Sequence, residues 1–86
     1  MDYPTYRKLL ADHGLRLRYI DSKKRSEAVK CYYDDKGVAA AIVVIRKKGK
    51  FSLKVFGAGK HRPYFKREAR VLRESLAQFG EASIER

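Results

Sequence analysis

The stretch Val38-Ala39-Ala40-Ala41-Ile42-Val43-Val44-Ile45 constrains the fold more than any other part of this chain. It carries no polar side chain and is β-branched in its second half. Asp34-Asp35-Lys36-Gly37 precedes it and Arg46-Lys47-Lys48-Gly49-Lys50 follows it, both with the residue types of turns. A short apolar run between two turns suits a strand, and one that is apolar on both sides suits the middle of a sheet. It is far too short to span a bilayer, which takes a helix of about 20 residues, so no membrane partner is expected.

The neighbouring segments supply the rest of that sheet. After the basic hairpin turn, Phe51 to Phe56 reads as the returning strand, with Phe51, Leu53 and Val55 opposite Ser52, Lys54 and Phe56. Upstream, Ala28 to Tyr33 places Val29, Cys31 and Tyr33 on one side and Lys30 and Tyr32 on the other. Leu15, Leu17 and Tyr19 alternate with Arg16 and Arg18, the period of a half-buried strand. Asp21 to Ser26 reads as a polar, basic loop.

Two helices bracket the strands. Asp2 and Pro4 suit the start of a first helix over Pro4 to His13, on which Tyr6, Leu9, Leu10 and His13 share a face and after which Gly14 is placed to end it. In the second helix, opened by Pro63, the residues Phe65, Ala69, Leu72, Leu76 and Phe79 recur at spacings of 4, 3, 4 and 3, and Gly80 marks its end. With 86 residues the chain suits one domain, and 44% hydrophobic residues suffice for a core. The expected fold is an α+β two-layer sandwich in the order α-β-β-β-β-α. It has an antiparallel sheet with both helices on one face, a single domain over residues 1–80, and a polar, frayed tail over 81–86.

Charge then narrows the partner. There are 21 Lys and Arg against 10 Asp and Glu, a formal net charge of +11. Self-repulsion at that charge opposes compactness, so an acidic partner explains its retention. The cations form three groups: Lys23, Lys24 and Arg25; Arg46, Lys47, Lys48 and Lys50; and Lys60, Arg62, Lys66, Arg67, Arg70 and Arg73. Lys66, Arg70 and Arg73 fall at i, i+4 and i+7, opposite the apolar stripe of their helix. From Phe51 to Arg73 the chain holds one acidic residue, Glu68. An ordinary surface, in contrast, intersperses both signs.

The segment Gly57-Ala58-Gly59 followed by Lys66-Arg67-Glu68-Ala69-Arg70 is similar to the glycine-containing loop and basic helix start of double-stranded RNA-binding domains. Leu9-Leu10 and Gly14 are similar to that family's opening helix. The resemblance implies that Lys66, Arg67 and Arg70 clasp phosphates across a groove. It also implies that the first helix and a strand–strand loop reach the minor grooves on either side. This chain departs from the family in having four expected strands instead of three. An additional His61-Arg62-Pro63-Tyr64 precedes the basic pair, and the usual Pro-His pair is missing from the second-groove loop, where Arg46 to Lys50 would serve electrostatically.

Catalytic chemistry finds little footing. His61, beside Arg62 and Tyr64, is the candidate general acid or base for an RNA-cleaving toxin, but no base or carboxylate can be placed next to it. His13 reads as a packed or helix-terminal histidine. Asp34-Asp35 is turn chemistry, and Gly57-Ala58-Gly59-Lys60 lacks the spacing and the hydroxyl residue of a nucleotide-binding loop. One cysteine, Cys31, gives neither a disulfide nor a metal set, so no cofactor or metal is expected. It fits a reducing cytoplasmic setting. The opening Met1-Asp2-Tyr3-Pro4 does not begin a signal peptide pattern.

The expected function is therefore non-catalytic nucleic-acid binding through the phosphate backbone of duplex RNA or DNA. It would be carried by Lys60, Arg62, Lys66, Arg67, Arg70 and Arg73, with Lys47, Lys48 and Lys50 as a second contact. Two alternatives from other classes stand beside it. One is a small inhibitor or adaptor docking on an acidic protein through Tyr32, Tyr33, Phe56 and Tyr64. The other is the His61 nuclease. Tyr32 and Phe56, if exposed beside Lys30 and Lys54 on one sheet face, would either stack single-stranded bases or form a homodimer interface.

Overall fold

The apolar run lies at the centre of an 11-residue strand, and the chain folds around it. In a computed structural model that describes residues 2–20, 25–57 and 59–85, the side chains of 19 and 20 excepted, the elements are α1 (Tyr3–Asp12), β1 (Arg16–Ile20), β2 (Arg25–Asp34), β3 (Gly37–Lys47), β4 (Lys50–Gly57), α2 (His61–Leu76) and β5 (Ala82–Ile84). Ala58, Lys23 and Lys24 lie outside the described residues, so the first basic loop is placed only at Arg25, which opens β2 instead of ending a loop.

The strands form one sheet in the order β1-β2-β3-β4-β5. The first four pair antiparallel as a meander, and β3 is central, as its composition requires. Lys48 and Gly49 both take positive φ, 53° and 76°, the backbone of a tight two-residue hairpin whose twist matches its strands. At the β2–β3 turn, the Lys36 amide donates to Asp34 Oδ1 at 2.8 Å, the Asx chemistry expected there.

The tail corrects the sequence reading. Ala82–Ile84 is a fifth strand, parallel to β4, so the meander becomes a mixed sheet closed by a β4–α2–β5 crossover. The Phe51 amide donates to Glu81 O at 2.7 Å and the Glu85 amide to Leu53 O at 2.8 Å. Gly80 permits this return, because a Cβ there would lie 2.1 Å from the Gly49 carbonyl oxygen.

Both helices pack on one face of the sheet. Tyr6 and Leu10 from α1 and Phe65, Ala69, Leu72 and Leu76 from α2 share one buried cluster with Leu15, Ala28, Ala40, Ile42, Val44, Phe51 and Leu53. The stripes do what their periodicity predicts as far as the helices run, but α1 ends at Asp12 and α2 at Leu76, so His13 and Phe79 lie beyond them, half-buried. Tyr6 is ringed by Phe51 and Phe79, at centroid distances of 5.6 and 5.8 Å. Burial raises its pKa, with the neighbouring Ser26 hydroxyl and Arg46 charge partly offsetting the shift.

Arg46 is a second correction. Read as part of the hairpin turn, it lies within β3, 7% exposed and on the helix-covered face near Tyr6. It pairs in register with Ser26 on one side and Phe51 on the other. Its charge is inside the fold and not part of the surface group.

Candidate nucleic-acid interface

The outer surface of α2 is built by the same periodicity that builds its stripe. With Phe65, Ala69, Leu72 and Leu76 turned to the sheet, Arg62, Lys66, Arg67, Arg70 and Arg73 are left exposed. Arg62, Lys66 and Arg70 repeat at i+4, so they line one flank of the helix. Together with Val55, Ile84 and Glu85 they wall a groove of about 550 Å³ between α2 and the β4–β5 edge. Arg62 is further tied down by donating from Nη1 to the Gly57 carbonyl at 3.0 Å. Gly57 itself is held by a close approach: its φ is +115°, and a Cβ would fall 2.6 Å from Ala39 O.

The structure therefore divides the cations that the sequence grouped together. Arg67 is on the other flank, in a shallow groove with His13, Tyr64, Glu68 and Val71. Lys60 sits at the N-cap of α2. Lys47, Lys48 and Lys50 are at the opposite end of the helix, because the chain leaving α2 crosses Gly49 at Gly80. The 16 residues of α2, about 24 Å at 1.5 Å per residue, lie between Lys60 and this hairpin, with Arg70 and Arg73 in the last two turns. Lys50 has Glu81 at 3.8 Å, both side chains being largely exposed, a contact worth little.

The fate of Glu68 decides the electrostatics. The one carboxylate between Phe51 and Arg73 turns inward and is gripped by Lys30 from β2, with both oxygens within 2.8 Å of Nζ. Tyr64 adds a hydroxyl donor at 3.3 Å. Both partners of this ion pair are mostly buried. Lys30 is thus spent inside the molecule, against the expectation that it stands exposed beside aromatic residues. Among the described residues, no ion pair engages Lys60, Arg62, Lys66, Arg67, Arg70 or Arg73.

Register also reassigns the aromatic residues. Tyr32 pairs with Ala40 on the helix-covered face and stacks on His61 at 4.2 Å between centroids. Phe56 pairs with Ala41, in line with Cys31, on the open face. Tyr32 and Phe56 thus point to opposite sides of the sheet, and it is Tyr33 that shares the open face with Phe56. Sequence alternation separates Tyr32 from Tyr33 but cannot say which of them faces the helices. The ring of His61 is occupied on one side by Tyr32, with Arg62 and Tyr64 its helical neighbours. Among the described residues no three His, Cys, Asp or Glu side chains gather as a metal set, and no helix is long and apolar enough to cross a membrane.

The chain matches no family model, and neither a curated protein nor a solved structure is similar to it.

Proposed function

We propose that this protein is a non-catalytic nucleic-acid-binding module that holds the phosphate backbone of a duplex on the outer surface of α2. The observation that carries the reading is the inward pairing of Glu68 with Lys30. It removes the only acidic residue between Phe51 and Arg73 from a surface that keeps Arg62, Lys66, Arg67, Arg70 and Arg73 exposed. Uncompensated cations on one rigid element cost stability by mutual repulsion and are repaid when they displace counterions from phosphates.

Lys48, at the tip of the β3–β4 hairpin beyond the C-terminal end of α2, supplies the second contact. Two separated phosphate contacts with no base-edge reader between them favour recognition of backbone shape over base sequence. The resemblance to double-stranded RNA-binding domains, carried by Lys66-Arg67-Glu68-Ala69-Arg70, points to RNA as the duplex. His61 takes no chemical role in this reading.

The test is a titration against double-stranded RNA, double-stranded DNA and single-stranded RNA between about 50 and 200 mM salt. Duplex RNA should bind tightest, with an affinity that falls steeply as salt rises. Absence of duplex binding at low salt would overturn the proposal and favour docking on an acidic protein.

A further inference from the structure

Among the described residues nothing covers the side of the sheet away from the helices, and that side is polarised along its length. At the β2–β3 turn end stand Tyr33 (66% exposed), Val38 (58%) and Phe56 (50%). Tyr33 and Val38 are direct partners across β2 and β3, and Phe56 follows on β4 opposite Ala41. In the middle Val29 and Ala41 are nearly closed off by their neighbours, and Lys54, opposite Val43, stands on the β4 side with Glu85 at 3.2 Å. At the far end Arg25 pairs with Lys47 and Lys47 with Lys50, three cations in one row across three strands. Like charges directly opposite one another destabilise a sheet, so the fold alone does not account for this row. On the β1 edge, Arg16 and Arg18 border a depression that contains Tyr33, Val38 and Val29.

We infer that this open face binds single-stranded nucleic acid, with Tyr33 and Phe56 stacking bases and Arg16, Arg18 and the Arg25–Lys47–Lys50 row holding phosphates. Planar side chains beside a low strip of Val29 and Ala41, with cations along its borders, match a chain of bases joined by anions. Tyr33 to Arg25 spans eight residues of β2, about 26 Å, which accommodates a strand of roughly four nucleotides. A second copy of this chain fits the same face poorly. Of the carboxylates near it, Glu81 and Glu85 already lie beside Lys50 and Lys54 and Asp34 accepts from the Lys36 amide, which leaves Glu27 and the turn residue Asp35 against a net charge of +11 on each copy. The site lies across the sheet from the α2 groove, so its ligand can be a different form of nucleic acid from the one held there.

The experiment is fluorescence anisotropy with a 12-nucleotide oligouridylate, run beside the duplex RNA titration on the same preparations. The Tyr33→Ala/Phe56→Ala variant should lose about 10- to 100-fold in affinity for the oligouridylate, from the usual worth of base–aromatic stacking, while its duplex affinity stays unchanged. Tyr33→Phe should retain binding, since the ring is what matters. Lys66→Glu/Arg70→Glu should show the converse pattern, losing the duplex and keeping an aromatic-dependent interaction with the oligomer. The inference is overturned if the wild-type protein does not bind the oligomer at low salt, or if the double alanine variant binds it equally well. It is also overturned if sedimentation shows a wild-type dimer that this variant dissociates.

Discussion

The two helices do the same structural work and present different electrostatics. Each lays one apolar stripe on the same sheet face, Tyr6 and Leu10 from α1 and Phe65, Ala69, Leu72 and Leu76 from α2. Outside that stripe, α1 mixes its charges: Lys8 pairs with Asp12 at 3.1 Å one turn on, and the Thr5 hydroxyl donates to the Asp2 carboxylate at its start. The exposed side of α2 carries five cations between Arg62 and Arg73, and its one carboxylate in that span is turned inward to Lys30. Packing dictates the stripe and leaves the outer residues unconstrained. The asymmetry between the two helices is therefore not dictated by packing.

Three perturbations separate the stripe from the charge, in descending order of effect. Leu72→Ala, at a fully packed position of the α2 stripe, should lower unfolding stability by about 2–5 kcal/mol, measured by urea denaturation. A loss below about 1 kcal/mol would mean that α2 is not anchored as described. Glu68→Gln strips Lys30 of its partner and should cost about 1–2 kcal/mol, between the values for exposed and buried pairs. Duplex affinity should hold or rise in this variant, because the exposed cations are untouched. A fall would show that Glu68 organises the binding surface. The smallest effect belongs to Glu85. Its pKa is lowered by the hydrogen bond from the Ser52 hydroxyl and then by Lys54. A carboxylate depressed in the folded state stabilises above the ordinary carboxylate range, and that contribution disappears as pH falls through its folded pKa. Hydrogen-exchange protection of the Glu85 amide, corrected for the intrinsic rate, should therefore drop on acidification. Glu85→Gln should remove that dependence.

What was legible in the chain follows from how local each feature is. The central strand, both helical stripes and the glycine-bearing hairpin turn are written in runs of neighbouring residues, where periodicity and turn chemistry act directly. The fifth strand was not legible, since Ala82-Ser83-Ile84 has no pattern of its own and pairs with β4 only because Gly80 passes Gly49. Arg46 and Lys30 look like any other surface cation until the strand register sets them on the covered face. The α2 cations were identifiable as a group, but their division between two flanks, with Arg67 apart from Arg62, Lys66 and Arg70, depends on where β5 and α1 pack. Tyr32 and Tyr33 exchange roles for the same reason: alternation orders them, and only the pairing of Cys31 with Ala41 and of Ala41 with Phe56 says which side is open.

The most direct measurement compares two variants that change net charge equally: Lys66→Glu/Arg70→Glu on α2 and Arg7→Glu/Lys8→Glu on α1, each titrated with duplex RNA at about 50 mM salt. If the α2 surface holds the phosphates, the first should weaken binding by about 100-fold or more and the second by no more than about threefold. Equal losses in the two variants would mean that net charge alone drives association, and undiminished binding by the α2 variant would place the duplex elsewhere on the molecule.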